Sequence, residues 1–329
     1  MVGEFQIKMK WKKLGQVFDP TTWDDGVDRE WMRSHSQCTS TLVFKDFVRI
    51  YFSCRYEKDK NRQATSVTTF LDVERNNLKK IIRVSEKPIL PLGELGGFDE
   101  NAVYPTSVIR LNGKVHLYYA GWSRCKSVPF NAAIGLAISD DEGESFTRYA
   151  KGPILSAGPF EPFVLSGPKI RKFDNKLYLY YLAGCKWIDN KGSPEIVYKN
   201  RMATSEDGIH WVRENRNIIE DVYDENECQA GPDVFQYKGK YHMYFVYRQG
   251  LNFRTEENRG YKIGYATSED KYNWVRDDES VGIQYSNKGW DSKMHHYPHF
   301  FELDGRHYMI YNGNDFGRYG FGLAVLESD

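Results

Sequence analysis

Acidic side chains stand shortly before a proline-containing strand pattern that recurs along the chain. Asp99 and Asp291 each follow an aromatic residue there, and Glu227 precedes another copy of the pattern. Two carboxyl groups in one pocket suit glycoside cleavage, with retention of configuration at a separation of about 5–5.5 Å and inversion at about 6.5–9.5 Å. We therefore interpret Glu227 as a general acid and Asp99 or Asp291 as the base or nucleophile.

Other polar residues at comparable positions are predicted to bind and orient the substrate. Several carboxylates at the mouth of one pocket repel each other unless cations or hydrogen bonds compensate their charges, or raised pKa values leave some of them protonated. Such compensation often marks a functional site. The predicted substrate-binding residues are Arg33, His35, Gln37, Glu100, Asn101, Glu161, Gln229, Asp233, Lys293, His295 and His296.

A structural role for the acids stays open beside the catalytic one. Asp99, Glu161 and Asp291 all follow an aromatic residue. A recurrent aromatic–acid pair also suits a contact between neighbouring sheets in which the acid accepts backbone N–H groups. Glu227 breaks this register, and Asp233 follows a proline, where it could cap a turn.

Basic residues and histidines raise the questions of an anion and of a metal. Arg55, Lys186 and Arg248 each lie just beyond a second strand and could hold a phosphate, a sugar-nucleotide diphosphate or an acidic sugar. Ion pairs with the acids explain these cations equally well. His295 and His296 point to opposite sides of a strand, which disfavours a shared metal ion. No metal or cofactor is predicted, and only a structural calcium or sodium ion on a central axis stays open.

One hairpin pattern occurs five times. Its landmarks Cys38, Pro105, Pro168, Pro232 and Pro298 are 67, 63, 64 and 66 residues apart by subtraction. In the second copy, an Asn-Gly turn separates two apolar runs, which is typical of a hairpin, and each unit continues into a second hairpin. The repeats predict an all-β fold, in which residues 1–329 form a single five-bladed β-propeller with four antiparallel strands per blade.

The two ends of the chain are predicted to meet in one blade. The last copy stops after its third strand, and the N-terminal run around Trp11 resembles an outermost strand. We expect this N-terminal strand to close the last blade. The residues in excess of a plain four-stranded repeat fall in loops 56–64, 124–131, 186–199 and 249–260, which we expect to line a binding site.

The composition excludes some partners and indicates a compartment. The 45 Lys and Arg residues balance 45 Asp and Glu residues, so no strong field favours nucleic acid or an anionic membrane. No run of about 18 apolar residues is present. Five cysteines without paired spacing predict reduced thiols and a cytoplasmic location.

Three stretches carry a resemblance to a known group of proteins. They are Trp31–His35, Phe98–Glu100 before Tyr104-Pro105, and Gly289–Met294 with the residues that follow to Ala324. With the five repeats, they resemble five-bladed propeller glycoside hydrolases of families 43, 32 and 130. They are most similar to the uncharacterised invertase-like "glycosylase" proteins of bacterial surface-polysaccharide loci. The resemblance implies an enzyme that cleaves or transfers a glycosyl unit, in surface-polysaccharide or nucleotide-sugar metabolism.

The chain departs from that group at the positions that matter for catalysis. The first repeat offers His35 and Gln37 where the hydrolases carry an acid, and Lys293 stands where the resemblance implies another acid. We predict a glycosidase-like enzyme acting on a carbohydrate or a nucleotide sugar. Two alternatives stay open: a glycan-binding propeller without catalysis, and a phosphorylase or sugar-phosphate transferase that uses the basic residues.

Overall fold

A computed structural model describes residues 8–56 and 65–327 of the chain. The predicted loop 56–64 therefore lies almost entirely outside the described residues. The fold is all-β, as predicted, with helical turns only over Glu257–Arg259, Asp278–Ser280 and Asn314–Gly317 within the described ranges.

The first half of the chain contains nine strands. They are β1 (Trp11–Phe18), β2 (Ser34–Val43), β3 (Phe47–Arg55), β4 (Ser66–Glu74), β5 (Asn77–Val84), β6 (Ala102–Leu111), β7 (Lys114–Arg124), β8 (Phe130–Ser139) and β9 (Thr147–Arg148).

Eleven strands follow in the second half. They are β10 (Leu165–Phe173), β11 (Lys176–Asn190), β12 (Ser193–Ser205), β13 (Val212–Arg213), β14 (Cys228–Tyr237), β15 (Lys240–Arg248), β16 (Lys262–Ser268), β17 (Val275–Arg276), β18 (His296–Leu303), β19 (Arg306–Asn312) and β20 (Phe321–Leu326).

The strands pair with their neighbours in sequence into antiparallel sheets. Three sheets have four strands each, in the orders β10-β11-β12-β13, β14-β15-β16-β17 and β1-β20-β19-β18. The remaining strands form one larger sheet in which β2–β5 and β6–β9 meet through a single parallel pair, Ser66 with Ala102. Buried aromatic and aliphatic side chains lie between neighbouring sheets, which is how a propeller-like arrangement buries both faces of each sheet.

A β-bulge interrupts the first strand of every unit at the same point. The register skips two residues between Gln37 and Ser40 in β2, and equivalent bulges interrupt β6, β10, β14 and β18. Proline has no N–H for the ladder and is tolerated at such a bulge, which explains the repeated landmark. The register also corrects that landmark, because Thr39 rather than Cys38 is equivalent to Pro168, Pro232 and Pro298.

Residues just after the bulge link the five inner strands around an axis. The hydroxyl of Ser40 in β2 accepts the N–H of Val108 in β6 at 2.8 Å, and Ser107 in β6 likewise accepts the N–H of Ile170 in β10 at 2.9 Å. The carboxylate of Asp233 in β14 accepts the N–H of Phe300 in β18 at 3.0 Å.

Two further contacts complete this set. Lys169 of β10 lies 4.0 Å from Asp233 of β14, and His299 of β18 returns to Thr41 of β2 at 3.0 Å. We call Ser40, Ser107, Lys169, Asp233 and His299 the post-bulge ring. Its contacts run in cyclic order through β2, β6, β10, β14 and β18. The residues of these strands that come before the bulge therefore lie on one side of the ring, which we call the start face.

The predicted pairing of the chain ends is confirmed. β1 runs antiparallel to β20, with Trp11 opposite Leu326. Trp11 is buried, its ring packs against Phe235, Tyr244 and Phe300, and its indole N–H donates to the Tyr244 hydroxyl at 2.7 Å. β1 therefore contributes to the hydrophobic core between its own sheet and the sheet of β14–β17.

All five cysteines are free thiols, as predicted. Across residues 8–56 and 65–327, the structure contains no helix that is long and apolar enough to cross a membrane. The cytoplasmic location stays a prediction.

Replacing Trp11 by alanine is expected to destabilise the whole fold. Truncation of a buried tryptophan costs about 3–5 kcal/mol, and here it also leaves the Tyr244 hydroxyl without its partner. Urea unfolding followed by fluorescence measures the loss, with Val275→Ala, a change at a side chain that is 70% exposed, as the control. Equal unfolding midpoints for the two variants would show that β1 does not contribute to the core.

Candidate active site

Asp99 and Glu161 make the same kind of contact in two different sheets. The Asp99 carboxylate accepts hydrogen bonds from the Tyr119 hydroxyl at 2.9 Å and from Arg148 at 2.8 Å. The Glu161 carboxylate accepts from the Tyr181 hydroxyl at 2.7 Å and the Arg213 guanidinium at 2.8 Å. In each case the tyrosine lies on the second strand and the arginine on the outermost strand of the unit.

Asp291 repeats this bridge with a lysine. It accepts from the Tyr311 hydroxyl at 3.0 Å and from Lys13 of β1 at 2.7 Å, and its carboxylate lies 3.6 Å from His295. Burial raises the pKa of Asp291, but hydrogen bonds from His295 and Lys13 outweigh burial and hold it well below its usual range. Asp291 is therefore ionised at neutral pH and unsuited to act as a general acid.

Glu227 is held in a different but equally buried setting. Its carboxylate pairs with Arg276 at 2.7 Å and accepts the backbone N–H groups of Val222 and Tyr223 at 2.9 and 3.1 Å. Gln229, predicted to bind substrate, donates to the same carboxylate at 3.0 Å.

These contacts support the structural alternative for the acids. Each acid ties the loop before an inner strand to the outermost strand of its own unit. Among the described residues, the four carboxylates of Asp99, Glu161, Glu227 and Asp291 share no hydrogen-bond partner. The pairing of carboxylates for catalysis stays a prediction.

The other residues predicted from the sequence do not lie together in the structure. Asp233 belongs to the post-bulge ring, where it also binds Arg171 at 2.8 Å. Glu100 accepts the N–H of Gly96 and Asn101 the N–H of Arg124, so both shape loops. Arg33 pairs with Asp28 in an exposed ion pair, and Lys293 is exposed.

His35 and Gln37 come together at the start face around Arg55. One guanidinium nitrogen of Arg55 lies 3.3 Å from the His35 ring, and another donates to the Gln37 side chain at 3.0 Å. The Gln37 amide donates in turn to the backbone carbonyl of Phe316 at 2.6 Å and lies 3.5 Å from the Tyr297 hydroxyl. Residues from both ends of the chain are thereby assembled at one place.

Arg248 lies at the end of β15 in an aromatic environment. Its guanidinium stands 3.5 Å from the centre of the Phe253 ring and 5.3 Å from the rings of Tyr198 and Tyr261. One nitrogen donates to the carbonyls of Gln249 and Gly250, while Nε has no partner among the described residues. The residue is only 2% exposed, so a full charge is buried there.

His296 and Tyr297 lie between the two arginines. The His296 ring is 4.0 Å from the Tyr261 ring, and within residues 8–56 and 65–327 neither of its nitrogens has a hydrogen-bond partner. Burial, reinforced by the charge of Arg248, lowers the pKa of His296 well below its ordinary value. His296 is therefore neutral and has a donor and an acceptor available.

An aromatic wall continues the start face across β6 and β7. The rings of Tyr104 and Trp122 are 5.0 Å apart, and Phe130 stacks on Trp122 at 4.0 Å. Trp187 meets Phe130 edge-on at 5.8 Å. Flat aromatic faces of this kind suit contact with the C–H faces of a sugar ring.

The electrostatics distinguish this face from the rest of the molecule. The arginines of the outermost strands are compensated by carboxylates, whereas within the described residues no carboxylate bonds to Arg55 or Arg248. In the part of the chain that the structure describes, the start face thus combines two arginines without a carboxylate partner, a neutral imidazole and aromatic surface. This combination is chemically suited to a sugar with an adjacent anion.

Sequence reasoning missed Tyr198, Tyr261 and Tyr297 at this face and Lys169 in the post-bulge ring. The chain contains 23 tyrosines, and no pattern singled these three out. Lys169 follows Pro168 directly, and the position after the bulge is the signal that identifies it. No group of three or more metal-ligating side chains is assembled within the described ranges.

The fold is one that glycoside hydrolases share. A solved "Glycoside hydrolase" superposes with a TM-score of 0.73 at 16% identity, covering 98% of this chain and 93% of that one. A thermostable family-43 glycoside hydrolase gives a TM-score of 0.61 at 16% identity, over 93% of this chain and 91% of its own. The Bombyx mori GH32 β-fructofuranosidase BmSUC1 gives 0.59 at 18% identity, over 89% of this chain and 59% of its own. The predicted resemblance to this superfamily is confirmed at the level of the fold.

Sequence relatives define the family more narrowly. The Mycobacterium tuberculosis proteins MT1551 and Rv1502, both described as uncharacterised, are 33% identical over 321 residues, which is 97% of this chain and all of theirs. The chain belongs to the family of these two proteins. No family model matches it.

A more distant relative has a described activity. The β-1,2-mannobiose phosphorylase of Thermoanaerobacter sp. (strain X514) is 33% identical over 122 residues, which is 33% of this chain and 40% of the phosphorylase.

Removing the cation of one acid bridge is expected to destabilise the protein. Arg213→Gln leaves the Glu161 carboxylate, whose side chain is fully buried, without its charge partner, which we expect to cost about 3 kcal/mol of the free energy of unfolding. Arg216→Gln is the control, because its pairing with Glu214 is loose at 3.9 Å and partly exposed. A loss for Arg213→Gln no larger than for the control in urea unfolding would contradict the structural role of the bridge.

His299 is expected to make stability depend on pH. Burial and the charge of Lys169 lower its pKa to about 3, against about 6.5 in the unfolded chain. As the pH falls from about 6.5 towards 3, only the unfolded state gains this proton, so stability falls by about 1.4 kcal/mol per pH unit from this group.

The pH dependence is tested with His299→Gln. As the pH falls from about 6.5 to 3, the free energy of unfolding of this variant should decrease less steeply than that of the unchanged protein. Val275→Ala, at a side chain that is 70% exposed and carries no titratable group, should keep the slope of the unchanged protein. Parallel slopes for His299→Gln and the unchanged protein would refute the assignment.

Proposed function

We propose that this protein is a carbohydrate-active enzyme that transfers a glycosyl unit to or from an anion, with inorganic phosphate as the anion of choice, at the start face. The observation that carries the proposal is the pair Arg55 and Arg248, which lack carboxylate partners among the described residues. A buried charge is costly unless it is paired, and a bound phosphate would compensate the positive charge of these arginines. Arginine is suited to this because it binds phosphate oxygens in a bidentate manner.

The sugar is proposed to lie against the aromatic wall of Tyr104 and Trp122, with the neutral His296 as a hydrogen-bonding group for its hydroxyls. The Thermoanaerobacter phosphorylase supports phosphorolysis of a mannoside. In phosphorolysis the phosphate is the nucleophile, so the chain must supply one proton donor rather than two carboxylates. This requirement agrees with the absence of an acid at His35 and Gln37.

The architecture proposed for this activity is the five-bladed propeller predicted from the repeats, with residues 1–329 as one domain. The cyclic contacts of the post-bulge ring and the pairing of β1 with β20 support it. The two four-stranded halves of the larger sheet then count as two blades.

A glycoside hydrolase that uses Asp99, Glu227 and Asp291 is the second candidate, favoured by the shared fold of the solved hydrolases. Glu227 stays the proposed proton donor in either reaction, and it takes up that role only when its bond to Arg276 is broken. A glycan-binding protein without catalysis is the third candidate.

The test is turnover of β-1,2-mannobiose with and without inorganic phosphate, followed by the release of mannose and of sugar phosphate. Phosphorolysis requires sugar phosphate to appear only when phosphate is present. Arg55→Gln and Arg248→Gln should each raise the KM for phosphate about 10- to 100-fold, because each removes a hydrogen bond to a charged group. Arg110→Gln, which loses only an exposed ion pair with Glu142, should leave the KM unchanged.

The alternatives give different results. Release of mannose without phosphate, abolished by Glu227→Gln, would select the hydrolase. Binding of the sugar without turnover under either condition would select the glycan-binding protein. Arg55 is only half-buried, so its variant keeps the test valid if Arg248→Gln fails to fold.

A further inference from the structure

Tyr297, which stands directly before Pro298 at the bulge of β18, has a left-handed backbone conformation with a φ of +49°. The register places Gly167 of β10 and Gly231 of β14 at the same position, and their φ angles are +60° and +57°. Glycine adopts this conformation without a steric penalty, whereas a residue with a Cβ atom is strained in it. The bulge of β18 therefore holds a strained tyrosine where two other units use glycine.

The equivalent residues of the five inner strands lie two residues before the post-bulge ring, on the start face. They are Cys38, Pro105, Gly167, Gly231 and Tyr297, and we call them the bulge-entry residues. A Cβ atom built on Gly167 would lie 4.0 Å from the backbone nitrogen of Gly231, and one built on Gly231 would meet no described atom within 4 Å. The two glycines therefore leave space over β10 and β14, beside the strand that carries Tyr297.

The side chain of Tyr297 extends from β18 towards β2 and β6. Its ring packs against a cluster of buried side chains that includes Cys38 and Tyr104. Its hydroxyl lies 3.5 Å from the Gln37 amide of β2, and the residue is partly exposed. Tyr297 is thus located beside the aromatic wall of Tyr104 and Trp122, against which the sugar is proposed to bind.

Within residues 8–56 and 65–327, the hydroxyl of Tyr297 donates its proton to no acceptor. In the contact with Gln37 the hydroxyl accepts, and the Gln37 amide has a shorter hydrogen bond of 2.6 Å to the Phe316 carbonyl. Burial raises the pKa of Tyr297 well above its ordinary value, so the hydroxyl keeps its proton at neutral pH. A hydrogen-bond donor is therefore held next to the aromatic wall.

We propose that Tyr297 is a substrate-binding residue whose hydroxyl donates a hydrogen bond to an oxygen of the sugar at the start face, and that β18 retains the strained conformation for this contact. The inference rests on the proposed function, because that function places the sugar there. Strained backbone conformations cluster at ligand-binding sites, where the surrounding structure maintains them. A sugar suits this donor because its oxygens accept hydrogen bonds, and the His296 ring, 3.6 Å from the Tyr297 ring, offers a donor and an acceptor to other hydroxyls.

The strain is tested by comparing Tyr297→Gly with Tyr297→Ala in urea unfolding. In a strand interior, a glycine variant is ordinarily less stable than an alanine variant. At a φ of +49° this order should be reversed, so Tyr297→Gly should unfold at the higher urea concentration. An alanine variant at least as stable as the glycine variant would show that the conformation is not strained, and would overturn this part of the inference.

The sugar contact is tested by isothermal titration of the full chain with β-1,2-mannobiose and, separately, with inorganic phosphate. Tyr297→Phe removes only the hydroxyl and should weaken mannobiose binding about three- to tenfold, because one hydrogen bond is lost, while phosphate binds as before. A merely structural role would instead lower the urea midpoint and leave the binding of both probes unchanged. Tyr149→Phe, at a residue that is 48% exposed, is the control and should change none of these three values.

An affinity of Tyr297→Phe for mannobiose equal to that of the unchanged protein would overturn the contact, whichever reaction is catalysed. Absence of mannobiose binding to the unchanged protein would overturn it as well. Failure of phosphorolysis gives a different result: mannobiose binds, Tyr297→Phe weakens this binding, and no sugar phosphate forms when phosphate is present. The two proposals can therefore fail separately.

Discussion

The interaction on which the structure depends is the hydrogen-bonded ring just after the bulges of the inner strands. Ser40 and Ser107 use a hydroxyl, and Asp233 a carboxylate, to accept an N–H from the next inner strand, and His299 returns to Thr41. A bulge leaves a residue unpaired in its own ladder, so a side chain and a backbone group become free to bond sideways. This sideways bonding fixes five strands around one axis and separates two faces with different chemistry.

The pairing of buried carboxylates with nearby cations determines which charged side chains remain available to bind a ligand. The sheets use Asp99, Glu161 and Asp291 to hold a tyrosine and the cation of an outermost strand, and Glu227 is saturated by Arg276 and backbone N–H groups. Bound in this way, each of these carboxylates holds the loop before an inner strand against the outermost strand of its unit. Among the described residues, no such acid neutralises Arg55 or Arg248, and these two arginines are the reason why we place the anion at the start face.

The same bulge gives the two ends of the axis opposite characters. Residues before it, such as Gln37 and Tyr297, contribute to the start face, where aromatic rings surround arginines. Residues after it line a cavity of about 730 Å³ between the same strands, among them Lys169 and Phe235. The bulge therefore divides each inner strand between two faces, because the strands all run in the same direction past the ring.

The sequence by itself determined the all-β fold, the repeated hairpins and the strand that joins the two ends, because alternation, Asn-Gly turns and the Trp11 run are local signals. It also singled out His35, Gln37 and Arg55, which the structure brings into contact with one another. Only the tertiary structure decided the partners of each acid and the equivalence of Thr39 with Pro168, Pro232 and Pro298. It also decided the partners of Lys169, which bonds to the carbonyl of Thr39 across 130 residues of chain. These features depend on which side chains come into contact in the folded protein. A contact between strands that are distant in the sequence produces no periodic pattern from which it could be predicted.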